Sequence, residues 1–175
     1  NNNSMKVSTH YKGFTLVEMI LYVSLCSILL LTLSTFLSFL LGARIKSQTI
    51  AEVNQQGAQI MQLITYTIRN GKSVDTPLVG GSSSTLLITK GIPLLDPTVF
   101  SASGTVFFIK EGSNAPIALT NSRVGVSSLV FQNISSTSST ETIIRMSFVL
   151  DYLNQGGRSE YSYTKTFTGS ATLRK

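Results

Sequence analysis

Hydrophobic and polar positions divide this chain into three stretches. Residues 1–13 are polar with scattered basic side chains, residues 14–41 are almost wholly apolar, and the residues beyond 41 mix both kinds. From Met19 to Leu41 no residue is charged. A run of about 23 residues, at about 1.5 Å per helical residue, matches the hydrocarbon core of a bilayer, which is about 30 Å thick. The pattern predicts one membrane-spanning helix.

The helix is expected to continue beyond the apolar run as an amphipathic half. After Gly42 the apolar residues recur largely at steps of three and four, namely at Ile45, Ile50, Val53, Ile60, Ile64 and Ile68. This is the spacing of one buried helical face, and Asn70-Gly71 is a natural end. The two halves would form a helix of about 55 residues, against an ordinary helix of about 12. Gly57 costs about 1 kcal/mol of helix stability relative to alanine, which predicts either a soft point or close packing there.

From Lys72 onward the composition changes to serine, threonine, glycine and β-forming residues. Strands are predicted at Thr85–Lys90, Thr105–Lys110, Val124–Ile134 and Ile144–Tyr152. The last of these alternates apolar and polar residues, and a turn at Asn154–Gly157 leads to a return strand through Tyr161, Tyr163 and Phe167. Gly80–Ser84 and Ser135–Thr140 are predicted to be loops. The fold class is therefore α+β: a long N-terminal helix followed by an antiparallel β-sheet head.

The apolar run also contains six serine and threonine residues: Ser24, Ser27, Thr32, Ser34, Thr35 and Ser38. Small residues of this kind allow helices to approach closely in a membrane. Their hydroxyl groups can equally bond to carbonyls of their own helix. The sequence leaves both readings open.

Composition limits the chemistry that the chain can perform. The formal charge is +6, but beyond Gly71 there are nine Lys/Arg against six Asp/Glu and no basic block, which gives weak support for nucleic-acid binding. Cys26 is the only cysteine, so no disulfide can form within the chain, and His10 is the only histidine. The carboxylates of the head are far apart in sequence, and no spacing is typical of a metal or phosphate site. We expect no enzymatic activity, no cofactor and no metal.

The junction between the polar and apolar stretches is Gly13-Phe14, with Glu18 four residues after the phenylalanine. The apolar region follows the glycine, whereas in an ordinary secretory signal it precedes the cleavage site. The segment from Lys12 to Leu41 resembles the N-terminus of type IV prepilins and of the pseudopilins of secretion and DNA-uptake machines. The resemblance implies a leader at residues 1–13, cleavage after Gly13 and methylation of Phe14. It divides the remainder into a polymerisation helix (14–42), its amphipathic continuation (43–71) and a β-rich head (72–175).

Glu18 is the one acid in the apolar stretch, and two readings of it are open. Near a helix end it is an interfacial acid in contact with lipid headgroups, where its cost is below the roughly 2.5–3.5 kcal/mol of an acid at the centre of a span. Alternatively, cleavage frees an amine on Phe14 that is largely cationic at neutral pH. Glu18 lies about 6 Å along the helix from its own terminus, but in axially offset neighbours it would meet the Phe14 amine of the next copy. Pairing would neutralise both charges and set the register.

The resemblance implies a structural subunit that assembles with other pilin or pseudopilin subunits through helix packing. Its partners would be prepilin peptidase, an inner-membrane assembly platform and, before assembly, lipid. The segment from Glu52 to Val74 resembles minor pseudopilins of the J or W type, which are implied to sit near the filament tip.

Charge bias does not orient the span, because Lys6 and Lys12 precede it while Arg44 and Lys46 follow it. The resemblance implies a cytoplasmic leader and an extracytoplasmic head, at the cell surface or in the periplasm. The alternative function is a single-pass surface adhesin or sensor that does not polymerise. The sequence begins with Asn1, and Met5 is a candidate start.

Overall fold

The computed structural model describes residues 13–136, 141–154 and 156–173. Helix α1 runs from Leu16 to Arg69, and the chain divides into two compact units between Gly42 and Ala43. At the end of α1 the backbone N–H groups of Asn70 and Gly71 donate to the carbonyls of Tyr66 and Ile68. The predicted helix end at Asn70-Gly71 is therefore confirmed.

In the first unit, the apolar side chains of α1 are exposed along the whole run. Leu31 and Phe39, for example, are 68% and 74% exposed. The hydroxyls of the run bond to carbonyls of the preceding turn, as in Ser24 to Leu21 and Ser27 to Val23, and Thr32, Thr35 and Ser38 do the same. Local back-bonding is thus observed for these five residues, and close approach to other helices stays a prediction.

The second unit contains nine strands among the described residues, all paired antiparallel in two sheets. The first sheet has the order β1-β3-β4-β5-β6 and the second has the order β2-β7-β8-β9. The strands of the first sheet are β1 (Ser73–Thr76), β3 (Leu86–Thr89), β4 (Thr98–Ser103), β5 (Val106–Glu111) and β6 (Ile117–Ala118). Those of the second are β2 (Ser82–Ser83), β7 (Val124–Asn133), β8 (Ile143–Tyr152) and β9 (Thr164–Thr172). This is the predicted α+β fold.

The first four predicted strands are confirmed with shifts of one residue at their ends, and the return strand is confirmed from Thr164 onward, so its predicted start at Tyr161 and Tyr163 is wrong. Four observed strands, β1, β2, β4 and β6, were not predicted, and the prediction that Gly80–Ser84 is wholly a loop is wrong, because Ser82-Ser83 pairs with β7. A two-residue polar segment such as Ser82-Ser83 has little strand propensity of its own and becomes a strand by pairing with a longer neighbour. The return strand begins at Thr164, after a 3-10 turn at Ser159–Tyr161. Residues 137–140 of the predicted loop, and Gln155 of the predicted turn, lie outside the described residues.

One hydrophobic cluster joins the second half of α1 to both sheets. Val53, Ile60, Ile64 and Ile68 of the helix are buried in it together with residues of β3, β4, β5, β7, β8 and β9. Four phenylalanine rings, one each from β4, β5, β8 and β9, form a chain of contacts across the core. Their centroids are 6.4 Å apart for Phe100 and Phe107, 5.9 Å for Phe107 and Phe148, and 5.3 Å for Phe148 and Phe167.

The helix and β9 pack through two glycines. A Cβ added at Gly57 would lie 2.0 Å from the ring of Phe167, and one added at Gly169 would lie 2.9 Å from the sulfur of Met61. Lys165 Nζ donates to Asn54 Oδ1 at 2.7 Å at the same seam. Of the two readings of Gly57, the structure supports close packing.

Candidate functional site

Gly13 and Phe14 precede the helix in non-helical, exposed backbone. Phe14 is 69% exposed, and no atom of the described residues lies within 4 Å of the position where Gly13 would carry a Cβ. Exposed, non-helical backbone is the form in which proteases cleave a chain. The bond between these two residues is therefore presented two residues ahead of the helix start at Leu16.

Thr15 caps the start of the helix. Its carbonyl accepts the first helical hydrogen bond, from Met19 N at 3.1 Å, and its Oγ1 accepts the N–H of Glu18 at 3.3 Å. A threonine followed three residues later by glutamate is the sequence pattern of a helix N-terminus, and an acid in the first turn is favoured by the helix dipole. The Thr15 cap was missed in the sequence, although the spacing to Glu18 would have revealed it.

Glu18 is the one half-buried residue between Gly13 and Leu41. Its Oε1 accepts a hydrogen bond from the hydroxyl of Tyr22 at 3.2 Å. The rings of Phe14 and Tyr22 meet edge to face with their centroids 6.0 Å apart. The structure thus brings Phe14 and Glu18 onto a common neighbour, Tyr22, which the sequence reasoning also missed. The signal was the four-residue step from Glu18 to Tyr22, which places both on one helical face.

Among the described residues, α1 is the one helix that is long and apolar enough to cross a membrane. None of its most apolar window is buried within the chain. A surface of this kind lies against lipid or against other helices, because water would make its exposure costly.

Comparison with known proteins identifies this N-terminal site. Residues 8–34 match the family model described as the prokaryotic N-terminal methylation motif. This match supports a type IV pilin-like N-terminus for the chain. No curated protein and no solved structure matches the chain.

The motif supports processing by prepilin peptidase and implies, in general terms, assembly with other pilin subunits. The motif and the single long apolar helix fit a membrane-anchored protein whose head lies at the surface or in the periplasm. The matched segment contains all three residues singled out in the sequence, Gly13, Phe14 and Glu18.

The head contains an open cleft of about 470 Å³ between the first turns of its helical part and the strands. Both Glu52 and Arg123 line this cleft, where Arg123 Nη1 lies 3.9 Å from Glu52 Oε2, and Tyr152 and Tyr161 lie beside them. The two tyrosine rings stack with centroids 6.0 Å apart. The volume lies within the usual range of small-ligand sites, about 300–1,000 Å³.

Ionisable groups in the head are dispersed. In the parts of the chain that the structure covers, no three His, Cys, Asp or Glu residues are grouped so as to hold a metal ion. Glu160 has its pKa lowered from the ordinary value, first by a hydrogen bond from its own backbone N–H and then by the Arg158 guanidinium. That guanidinium lies 3.2 Å from Glu160 Oε1 on the surface of the head.

Proposed function

We propose that this protein is a minor pilin or pseudopilin, of the J or W type, that contributes to a filament as a structural subunit and catalyses no reaction. The observation on which this proposal rests is the exposed Gly13-Phe14 bond, which precedes a capped helix with Glu18 in its first turn. The absence of histidine after His10 supports a non-enzymatic role, since the processed chain contains no imidazole. The function requires no cofactor.

The proposed mechanism begins with cleavage. Prepilin peptidase cuts after Gly13, the leader stays in the cytoplasm, and Phe14 becomes the methylated, cationic N-terminus. The helix then remains in the bilayer until assembly, with the head on the extracytoplasmic side. At the assembly platform, contacts with neighbouring helices replace the lipid around residues 14–41.

Charge pairing gives this assembly its register. A carboxylate and an ammonium group that are separate in hydrocarbon each carry a desolvation cost, which direct pairing offsets. Glu18 of one subunit and the Phe14 amine of its neighbour form that pair when the two helices are axially offset. A subunit that is out of register leaves both charges uncompensated.

Intact-mass and peptide mass spectrometry of the membrane-extracted protein tests the proposal. We expect a mature N-terminus at methylated Phe14. A second arm compares Glu18→Ala with Ser34→Ala, a control change in the same helix. Cleavage should persist in both variants, while incorporation into sheared filaments should fall in Glu18→Ala alone. Normal incorporation of Glu18→Ala would contradict the pairing.

The alternative function is an anchored surface protein that does not polymerise, with a head that binds a ligand. The observation that favours it is the cleft beside Arg123, Tyr152 and Tyr161, which has the size of a ligand site. Under this alternative the leader is retained and the head is displayed on the cell. The same mass spectrum distinguishes the two functions.

A further inference from the structure

Tyr22 contacts both residues on which the proposed assembly depends. Its hydroxyl donates to Glu18 Oε1 at 3.2 Å, and its ring packs edge to face against the ring of Phe14. Helical spacing makes the first contact local, since residues four apart lie on the same face one turn from each other. Tyr22 itself is more exposed than Glu18, which it partly covers.

A carboxylate near hydrocarbon needs hydrogen-bond donors, because water is scarce there. The neighbouring hydroxyls of the helix are already engaged: Ser24 donates to the Leu21 carbonyl and Ser27 to the Val23 carbonyl, both at 2.8 Å. The Thr15 hydroxyl oxygen accepts the Glu18 N–H, and among the described residues its O–H makes no hydrogen bond to the carboxylate. Within the described residues, Tyr22 is therefore the side chain that donates to the Glu18 carboxylate.

The bond occupies one oxygen of the carboxylate and leaves the other open. An ionised carboxylate accepts at both oxygens. Oε1 accepts from Tyr22, and Oε2 has no hydrogen-bond partner among the described residues. A carboxylate held at one oxygen has a restricted side-chain torsion, so its second oxygen points in a defined direction.

We propose that Tyr22 is a positioning residue for assembly. Its hydroxyl holds Oε1 of Glu18 so that Oε2 is presented to the cationic Phe14 amine of the neighbouring subunit, and its ring keeps Phe14 against the start of the helix. This inference rests on the proposed function. The hydroxyl and the ring have separable roles, which two substitutions at the same position distinguish.

The experiment uses the full chain in cells that assemble it. Tyr22→Phe removes the hydroxyl and keeps the ring, whereas Tyr22→Leu removes both; Ser24→Ala removes a neighbouring hydroxyl that does not touch Glu18. We expect all three variants to be cleaved normally. Incorporation into sheared filaments should fall about threefold in Tyr22→Phe, the size of a side-chain hydrogen bond between groups in a membrane, and further in Tyr22→Leu. Ser24→Ala should assemble like the unchanged protein.

A spectroscopic measurement separates positioning from a general packing effect. The carboxylate stretching band of Glu18 is obtained as the infrared difference between the unchanged protein and Glu18→Gln, both in lipid. We expect Tyr22→Phe to shift this band and Ser24→Ala to leave it in place. A loss of incorporation without a band shift would overturn the inference, and so would a band shift with normal incorporation.

The failure of this inference is distinguishable from the failure of the proposed function. If Glu18→Ala assembles normally, the charge pairing is wrong and the positioning role falls with it. If Glu18→Ala fails to assemble while Tyr22→Phe assembles fully, the pairing stands and only the role of Tyr22 is overturned.

Discussion

The two halves of helix α1 have the same helical backbone but differ in the exposure of their apolar side chains. In residues 16–41 large apolar side chains cover every face and remain exposed, as with Leu31 at 68% exposure. In residues 43–69 the apolar side chains form one stripe, and Ile64 in that stripe is fully buried. The helix is thus one secondary-structure element whose two halves differ in what buries their apolar side chains. The first half is not covered by the described part of the chain, whereas the second half is buried against the chain's own sheets.

The comparison predicts that replacing phenylalanine by alanine destabilises the head in one region and leaves its stability unchanged in the other. Phe148→Ala removes a buried ring that packs between Phe107 and Phe167, and should lower the free energy of unfolding of the head by about 3–5 kcal/mol. Phe39→Ala removes an exposed ring from the apolar run and should leave the unfolding of the head unchanged. Thermal or denaturant unfolding of both variants in the same detergent checks this. Equal losses in the two variants would break the comparison.

Gly57→Ala sets helix propensity against packing. Alanine gains about 1 kcal/mol over glycine within a helix, but overpacking a core contact costs about 1–3 kcal/mol. The new Cβ would lie 2.0 Å from the Phe167 ring, which is stacked on Phe148 and restricted in its movement. We therefore expect a net loss of head stability, measured by unfolding. Ala58→Gly, at the exposed neighbouring position, tests propensity alone.

A double variant sharpens this prediction. Phe167→Leu shortens the side chain that meets Gly57, so Gly57→Ala should cost less in that background than in the unchanged protein. Equal costs in the two backgrounds would show that the ring is not what requires glycine at this position.

Asn54→Ala should have a smaller effect at the same seam. It removes the acceptor of the 2.7 Å hydrogen bond from Lys165 and leaves a partly buried ammonium group without that partner. A hydrogen bond to a charged group contributes about 1.5–3 kcal/mol, and partial exposure places the expected loss at the low end of that range. Gln55→Ala, on the exposed side of the same helix, is the matched control. Urea unfolding of the two variants measures the difference.

The smallest expected effect concerns pH. Because the pKa of Glu160 is lowered in the folded head, its ionised form is stabilised by folding. That contribution is present above the pKa of the unfolded chain and is lost as the pH falls through the lower, folded value. Glu160→Gln should therefore slightly reduce the stability of the head at neutral pH and flatten its decline in acid. A pH series of melting temperatures that is superimposable on that of the unchanged protein would contradict this.

Local patterns were sufficient to predict some of these features. The membrane-spanning length follows from an uncharged run, which is a property of consecutive residues. The buried stripe from Val53 to Ile68 follows from helical spacing, and β8 follows from alternation. The Gly13, Phe14 and Glu18 motif is equally local, since its parts lie within one or two turns of a single helix start.

Other features depended on contacts between residues far apart in the chain, and only the tertiary structure decided them. From the sequence Gly57 is only a weak helix former, and its role in close packing is visible only once Phe167 is placed against it. Likewise, Lys165 donates to Asn54, 111 residues away in the chain. Strands as short as Ser82-Ser83 form because β7 supplies their partners. The physical reason is the same in each case. Helical periodicity and hydrophobicity depend on residues that are close in sequence. Close packing and strand pairing depend on which distant segments of the chain come into contact in the folded protein.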